Sequence, residues 1–284
     1  MKVESFIIPK TDNRGLVYQV DEGTSFYGRL HRHEEIQLTV LVKGRGDLVI
    51  GDTIQHFEEG DFIAIGSGIP HLFRSSEECD YVKMISLFFT PRSFGDQFFE
   101  LDETSELIPV FDDLKHGFKV NQNHDFVDEF EKMANESGIL RLNRFLSLMH
   151  FLGESKRERL ASFVFTRPFG ENEGSRMQRV MEMAMTSYSK AIRLEDVAEL
   201  ANMTSNAFCR YFKQRTNKTF FQFLQEVRIS QACRMLSEEN DYSISEIADQ
   251  TGFQNLSNFN RSFKKIKGLT PGEYKRNFRQ RLCQ

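Results

Sequence analysis

The sequence predicts an α+β protein, in which an N-terminal antiparallel β-barrel precedes an all-α domain. Three observations support this prediction. Short β-branched runs between glycine-containing turns fill roughly the first 100 residues. Apolar residues at helical spacing begin near residue 124, and two similar helical segments occupy the C-terminal third. With 284 residues, the chain is long enough for two domains that each bury a core.

The strands of the predicted barrel are short and separated by turn residues. Residues 39–52 contain two β-branched runs on either side of Lys43–Gly46, which predicts a β-hairpin. Gly60-Asp61 and residues 66–70 predict two further turns. Strands at this spacing are typical of an antiparallel barrel or sandwich.

A helical hairpin is predicted after the barrel, with Ser137-Gly138 between its two amphipathic helices. An apolar stripe on such a helix can cap the barrel or can form the interface of a dimer. We favour dimerisation, and the candidate interface residues are Leu142, Phe145, Leu146 and Met149.

Residues 165–175 are the best candidate for a linker. They contain a proline, two glycines and several polar residues between apolar segments. The predicted organisation is therefore a first domain at 1–164, a linker at 165–175 and a second domain at 176–284.

The charges and cysteines restrict the class of protein. Residues 1–170 hold 19 Lys and Arg against 28 Asp and Glu, whereas residues 171–284 hold 18 against 13, which indicates that only the C-terminal part binds a polyanion. The four cysteines form no C-x-x-C pair, and the N-terminus lacks an apolar signal segment. The longest apolar run, at 84–89, is too short for a membrane span of about 20 residues. We therefore expect a cytoplasmic protein that does not enter a membrane.

The C-terminal part contains an internal repeat. Residues 194–217 and 244–268 are two versions of one unit, offset by 50 residues at the start and 51 at the end. In each unit a residue able to adopt a positive φ, Asn202 or Gly252, separates two helical segments. Residues 220–236 predict a long helix between the units. The second domain is therefore predicted to be two helix-turn-helix units joined by a long helix.

The second helix of each unit carries a polar and basic face. Asn and Arg pair with base edges in the major groove, an exposed leucine can contact a thymine methyl, and lysines contact phosphates. These faces could also be solvated surfaces of a helical bundle, but two copies of the same face favour DNA binding in successive major grooves, about 34 Å apart. The predicted DNA-binding residues are Ser205, Asn206, Cys209, Arg210, Lys213, Asn255, Leu256, Ser257, Asn258, Arg261, Lys264 and Lys265.

Residues 176–278 resemble the DNA-binding domain of AraC/XylS-type transcription regulators. The resemblance rests on residues 247–276, with their T-G-F turn, their F-x-R-x-F-K core and their G-x-T-P-x-x-Y close. It implies two reading helices in one chain that acts as a homodimer on paired DNA sites near promoters. It leaves open whether the chain is an activator or a repressor and whether it contacts RNA polymerase. Asn202 departs from the family pattern, in which glycine is common.

The N-terminal part resembles the cupin-like barrel of such regulators. Cupins carry His-x-His, a Glu four positions after the second His, and a second motif that runs from Gly-Asp to a third His. His31 and His33 match the first motif, but Gln37 replaces the glutamate. Gly60-Asp61 opens the second motif, which ends at His71.

The three histidines can recognise a small molecule, hold a divalent metal or merely pack inside the barrel. A neutral amide at position 37 supplies no charge to offset a cation, so we favour a ligand pocket without a metal. If a metal were bound, its ligands would be His31, His33 and His71. The predicted ligand-binding residues are His31, His33, Gln37, His71, Phe26 and Tyr27.

These features predict a transcription regulator whose barrel senses a small-molecule effector, with no enzymatic activity and no cofactor. The expected partners are double-stranded DNA, the effector and a second copy of the chain. Two alternatives stay open: a cupin metalloenzyme fused to a DNA-binding domain, and a regulator whose barrel serves only dimerisation.

Overall fold

The structure is a computed structural model that describes residues 4–5, 15–76, 78–120, 124–164, 171–237 and 242–282. The chain divides into two compact units, Met1–Gly174 and Ser175–Gln284. This boundary falls within the linker predicted at 165–175. Residues 165–170 of that linker lie outside the described residues, whereas residues 171–175 are helical.

The described part of the N-terminal unit contains eleven strands in two sheets. A five-stranded sheet has the order β1-β3-β8-β5-β6, and a six-stranded sheet has the order β11-β10-β7-β4-β9-β2. All described pairings are antiparallel except that of β1 with β3. The strands are β1 (Glu4–Ser5), β2 (Val17–Gly23), β3 (His31–Arg32), β4 (Ile36–Lys43), β5 (Gly46–Ile50), β6 (Thr53–Phe57), β7 (Phe62–Ile65), β8 (His71–Ser75), β9 (Val82–Phe89), β10 (Phe118–Val120) and β11 (Arg157–Arg159).

The six-stranded sheet is the middle layer of this unit. Side chains alternate between the two faces of a strand. On β4, Leu41 therefore packs in the core between the two sheets, whereas Leu38 and Val40 pack against helices on the other face. Those helices are α1 (Ile108–Leu114), α2 (Phe126–Asn135) and α3 (Gly138–Glu154), preceded by short 3-10 turns at Phe98–Glu100 and Asp102–Leu107. The predicted fold class, a cupin-like antiparallel barrel with a helical hairpin, is confirmed for this unit.

The β-hairpin predicted at 39–52 is not formed. Strand β4 pairs with β7 and β9, whereas β5 pairs with β6 and β8 in the other sheet. Gly44, between them, adopts a φ of 100°, and a Cβ there would lie 2.7 Å from the Val82 side chain. The chain therefore crosses from one sheet to the other at this glycine. The hairpin forms instead between β5 and β6, across Gly51-Asp52.

The predicted dimer stripe on α3 lies inside the N-terminal unit. Phe145 and Met149 are fully buried, and the Phe145 ring packs edge-on against Phe89 of β9 with centroids 4.9 Å apart. Leu142 and Leu146 are partly buried against the same core. The prediction that these four residues form a dimer interface is wrong, because they cover the six-stranded sheet of their own chain.

The described part of the C-terminal unit contains seven helices, five of which are the two helix-turn-helix units and the joining helix that the repeat predicts. Helices α5 and α6 form the first helix-turn-helix, α8 and α9 form the second, and α7 joins them. No helix in the described part of the chain is long and apolar enough to cross a membrane. The helices are α4 (Glu171–Ser187), α5 (Leu194–Leu200), α6 (Ser205–Thr216), α7 (Phe220–Ser237), α8 (Ile244–Gln250), α9 (Leu256–Lys267) and α10 (Pro271–Leu282).

The turns of the two units have the predicted backbone geometry. Asn202 adopts a φ of 52° and Gly252 a φ of 83°. Helix α8 begins with a complete capping box, in which Ser243 accepts from the N–H of Glu246 and the Glu246 carboxylate accepts from the N–H of Ser243. These local features fix where each helix starts, and they bring the second helix of each unit to the surface.

Candidate ligand pocket and nucleic-acid interface

Three histidines that are distant in sequence come together in the N-terminal unit. His31 of β3 lies directly opposite His71 of β8 in the antiparallel register, and their ring centroids are 4.3 Å apart. His33 packs 5.1 Å from His71 and 6.1 Å from His31, measured between ring centroids. All three side chains are buried. The pairing of β3 with β8 therefore assembles the cluster that the sequence predicts.

The backbone fixes the tautomer of each histidine. In all three rings Nδ1 lies within hydrogen-bond distance of a carbonyl oxygen two residues away. A carbonyl only accepts, so each Nδ1 carries the donated proton and the Nε2 of each neutral ring presents a lone pair. The accepting carbonyls belong to Arg29, Glu35 and Ile69, at 2.8, 2.8 and 2.9 Å, respectively.

Burial keeps His33 and His71 neutral. It lowers the pKa of His33 despite the hydrogen bonds of that ring, and it lowers the pKa of His71 further, with an added contribution from the neighbouring His31 and His33. Among the described residues, Nε2 of His71 has no hydrogen-bond partner although it is fully enclosed. A buried lone pair of this kind is suited to accept from a donor or to bind a cation.

Gln37 lies beside the histidines in a buried polar chain. Its Nε2 donates to Oγ1 of Thr39 at 2.7 Å and to Oγ of Ser86 at 3.2 Å. Its Oε1 lies 3.2 Å from Nε2 of His33. When His33 is neutral, both atoms of that contact are hydrogen-bond acceptors. A cation or an external hydrogen-bond donor placed beside them would therefore be stabilised. Turning the carboxamide over would instead let Nε2 of Gln37 donate to His33, because the Thr39 hydroxyl can donate or accept.

A cavity of about 170 Å³ adjoins this cluster. Of the predicted ligand-binding residues, His31, His33, Gln37, Phe26 and Tyr27 line it, whereas His71 packs behind the rings of His31 and His33. The ligand-binding role of these residues stays a prediction. Seven further lining residues lie outside the predicted set: Gln19, Asp21, Glu22, Ser25, Phe73, Met84 and Phe88.

Two of the missed residues, Gln19 and Asp21, alternate along β2. Nε2 of Gln19 donates to the Asp21 carboxylate at 2.7 Å, and burial raises the pKa of Asp21. The signal that could have found them is the period-two spacing of polar residues on this strand, which turns Gln19 and Asp21 to the same face.

The donor chemistry of the three histidines fits a divalent transition metal. One ring nitrogen from each lies within 4.8 Å of the others. Nδ1–H bonds to backbone carbonyls are the usual way in which metal-binding imidazoles are oriented. Metal–nitrogen bonds of about 2.0–2.1 Å require nitrogens roughly 3.4 Å apart, so the rings would draw together on binding. Within the described residues the group contains no carboxylate, and Gln37 offers a neutral oxygen only.

Helix α6 presents the predicted DNA-binding residues of the first unit on one side. Asn206, Cys209, Arg210 and Lys213 are exposed and Ser205 is half-buried. The opposite side carries Phe208 and Phe212, which are fully buried. Helix α9 repeats this arrangement, with Leu256, Ser257, Arg261, Lys264 and Lys265 exposed and Asn258 half-buried. Contact of these residues with DNA stays a prediction.

Two details of α9 differ from the prediction. Asn255 is the N-cap of the helix, not part of its face, since its side-chain oxygen accepts from the N–H of Asn258 at 2.8 Å. Asn260 was missed, although it is exposed and corresponds to Cys209 by the 51-residue offset of the repeat. In addition, Oδ1 of Asn258 accepts from Nη2 of Arg261 at 3.2 Å, which orients that guanidinium.

Known proteins resemble both units. A cupin domain model matches residues 16–88, and a helix-turn-helix domain model matches residues 197–277. The HTH-type transcriptional regulator YdeC of Bacillus subtilis (strain 168) is 25% identical over 90% of this chain and 89% of its own length. The HTH-type transcriptional activator RhaR of Mannheimia succiniciproducens is 24% identical over 88% of this chain and 87% of its own length. The DNA-binding domain of AdpA, solved with a target DNA, is 30% identical over 37% of this chain and 94% of that chain, with a TM-score of 0.35.

The cupin match covers the part of the chain that contains the histidine cluster. The helix-turn-helix match covers the part that contains the two helices with polar faces. The similarity to YdeC and RhaR extends across both parts of the chain. The chain therefore combines an AraC-type helix-turn-helix domain with a cupin domain ahead of it, and its relatives over both parts are HTH-type transcriptional regulators.

Proposed function

We propose that this chain regulates transcription by binding specific DNA sites with an affinity that depends on a small-molecule effector in its N-terminal unit. One observation carries the sensing half of the proposal: a cavity adjoins buried, neutral histidines, of which His71 has an Nε2 with no partner in the described structure. Concave sites with a few convergent polar groups are where proteins bind small ligands.

The repeated polar faces of α6 and α9 support the DNA-binding half. Arg210 and Arg261 occupy equivalent exposed positions and can each contact a guanine edge. Lys213, Lys264 and Lys265 follow toward the helix C-termini and can contact phosphates. We propose that both helices read base sequence in successive major grooves.

We propose that the chain acts as a homodimer, through a different surface from the stripe predicted on α3. Ile139 and Leu140, in the first turn of α3, are 75% and 63% exposed. Contiguous exposed apolar surface can mark a protein–protein contact. A second copy of the chain is the proposed occupant, since a pair of chains would recognise paired DNA sites with greater avidity.

Cytoplasmic location, binding of the ligand without catalysis, and contact with RNA polymerase at an activated promoter are further parts of the proposal. They are supported by membership of a family of transcription regulators and by the similarity to RhaR, whose name describes it as an activator.

Binding of a divalent metal by His31, His33 and His71 is a second candidate function of the cavity. It is favoured by the three Nδ1–H bonds to carbonyls, which leave Nε2 as the coordinating atom of every ring. A bound metal would supply positive charge for a ligand to coordinate. Elemental analysis of protein purified without a His tag decides this point: one metal per chain supports it, and a small fraction of one excludes it.

The experiment that tests the main proposal begins by selecting a DNA site from a random pool with the full chain. The affinity for that site is then measured with each member of a broad metabolite collection. We expect at least one compound to change the affinity, and a truncated chain lacking residues 1–164 to be insensitive to it. An affinity that no compound changes would leave a DNA-binding protein whose barrel does not sense.

A further inference from the structure

The cavity beside the histidines is rich in hydrogen-bond acceptors. His33 and Gln37 line it, and Nδ1 of His33 donates to the carbonyl of Glu35, which leaves Nε2 as the accepting nitrogen of that ring. Oε1 of Gln37, a second acceptor, lies 3.2 Å from Nε2 of His33. Behind them, Nε2 of the fully buried His71 has no partner in the described structure. A ligand that satisfies these atoms must bring donors of its own.

Asp21 adds a carboxylate to the same cavity. The hydrogen bond described for it comes from the neutral amide of Gln19, and no cation is among its described electrostatic partners. Burial raises the pKa of Asp21, as expected for a carboxylate removed from water without a counter-charge. The side chain is thus poised to pair with a cation that no described residue supplies.

The described lining carries no compensating positive charge. None of the twelve described lining residues is a lysine or an arginine, and two are acids, Asp21 and Glu22. An anionic ligand would therefore lose its hydration without gaining a charge partner, and it would lie beside a carboxylate. The electrostatics of the cavity select against carboxylates and phosphates.

Aromatic rings form much of the rest of the wall. Phe26, Tyr27, Phe73 and Phe88 line the cavity, and Tyr27 packs against the His31 ring with centroids 5.2 Å apart. The faces of phenylalanine and tyrosine rings attract cations, most strongly where water is excluded. The walls and Asp21 therefore favour the same kind of ligand.

We infer that the ligand of this cavity is a small organic ammonium compound, whose N–H groups donate to the Asp21 carboxylate while a second donor group reaches His33 and Gln37. The inference rests on the proposed function only in naming this ligand as the effector. Its chemistry follows from the acceptors, the uncompensated carboxylate and the aromatic walls.

Four compounds of similar length and different charge test the inference on the full chain. They are 1,4-diaminobutane, 4-aminobutan-1-ol, 1,4-butanediol and succinate, titrated to about 20 mM, where even a millimolar site fills. We expect calorimetry to show binding of the two ammonium compounds, at least tenfold weaker binding of the diol and none of succinate. Failure of both ammonium compounds to bind, or equal binding of the diol, would overturn the inference.

Substitutions locate the binding. Asp21→Asn keeps the shape of the side chain and removes its charge, and we expect it to weaken ammonium binding at least tenfold while leaving the diol unchanged. Asp80→Asn removes a carboxylate that is exposed and outside the cavity lining, so ammonium binding should be retained. Equal loss in the two variants would mean that the ammonium compounds respond to surface charge and would overturn the assignment to Asp21.

The same titrations, repeated with the selected DNA site, separate this inference from the proposed function. Ammonium compounds that bind through Asp21 without changing DNA affinity would support the ligand class and contradict the effector role. Succinate that binds in the cavity and changes DNA affinity would support sensing and overturn the ligand class.

Discussion

Nε2 of His33 and Oε1 of Gln37 lie 3.2 Å apart, two acceptors that share no proton when His33 is neutral. The position of Gln37 is the one at which the cupin motif has glutamate. A carboxylate there would complete a set of four ligands for a metal, whereas the amide leaves the site without a negative charge. We therefore expect the cavity to recognise a ligand and not to hold a catalytic metal.

Replacing Gln37 by glutamate should convert the cluster into a metal site. We expect Gln37→Glu to bind Zn²⁺ or Mn²⁺ at least tenfold more tightly than the natural chain, consistent with the roughly 10–100-fold effect of groups that support metal ligands. Titration of metal followed by calorimetry measures the change. Gln37→Met, which removes the oxygen and keeps the length, is the control and should not gain affinity. Equal metal affinity of Gln37→Glu and the natural chain would contradict this account of the cluster.

Asp21 should destabilise the protein at neutral pH. A carboxyl whose pKa is raised by folding contributes most to stability below its ordinary value of 3.8, and that contribution is lost as the pH rises through the raised value. Asp21→Asn should therefore have a larger free energy of unfolding than the natural chain at about pH 7.5, and the gain should shrink toward pH 4. Urea unfolding at both pH values measures it.

Asp113 is a comparison in which folding shifts the pKa in the opposite direction. Burial opposes its ionisation, but hydrogen bonds from Nε of Arg157 at 2.7 Å and Nε of Arg159 at 2.8 Å outweigh burial and hold the pKa of Asp113 below its ordinary value. Its contribution is present above 3.8 and is lost as the pH falls through the lowered value. Asp113→Asn should therefore be less stable than the natural chain at neutral pH. The same sign for both variants would refute the assigned electrostatics.

Gly252 should tolerate substitution less well than Gly268. Both adopt positive φ, 83° and 75°, so alanine at either position costs about 1–2 kcal/mol of backbone strain. A Cβ at Gly252 would also lie 2.6 Å from the carbonyl oxygen of Tyr188, whereas none of the surroundings of Gly268 comes within 4 Å of a Cβ built there. We expect Gly252→Ala to cost about 1–3 kcal/mol more than Gly268→Ala. Calorimetric unfolding of the full chain tests this, and equal losses would contradict the close approach at Tyr188.

Arg261 and Lys265 should make different contributions to DNA binding. Arg261, oriented by Asn258, is expected to read a base, so Arg261→Ala should cost about 1–3 kcal/mol on the selected site and relax preference at one position. Lys265→Ala should weaken selected and random DNA by the same factor and reduce the salt dependence by about one counterion. Affinities on both DNAs over a range of salt concentration measure these effects. If Arg261→Ala lowered the affinity for both DNAs by the same factor, Arg261 would only contact phosphate.

The exposed aliphatic pair on α3 should carry the homodimer. Replacing Ile139 and Leu140 together by serine should shift the full chain from dimer to monomer in analytical ultracentrifugation, because both side chains lose the apolar area that association would bury. Val20→Ser changes an exposed apolar residue on β2 and should leave the dimer intact. A dimer that persists in the double variant would exclude this surface.

The sequence predicts the elements of the C-terminal unit well, because local signals determine them. Asn202, Gly252 and Ser243 act within a few residues of their own position, and the repeat reports the same geometry twice. Pairing of strands is a long-range property. The prediction of a hairpin at 39–52 was therefore wrong, because no local sequence signal indicates that β4 and β5 join different sheets.

The candidate cavity was predictable only in part, for a related reason. The histidine motif identifies His31, His33 and His71, but their tautomers depend on carbonyls whose position the fold decides. Asp21 belongs to no motif and reaches the cavity only because β2 pairs with β9. Likewise, periodicity locates the apolar stripe on α3, but only the packing shows that this stripe faces the sheet.

Coupling between the cavity and the DNA-binding unit is the central claim, and one thermodynamic cycle tests it most directly. The affinity of the full chain for a cavity ligand is measured by calorimetry with and without a saturating amount of the selected DNA site. We predict that DNA changes the ligand affinity by at least about fivefold, and that the ligand changes DNA affinity by the same factor, as linkage requires. Identical ligand affinities in the presence and absence of DNA would contradict the claim.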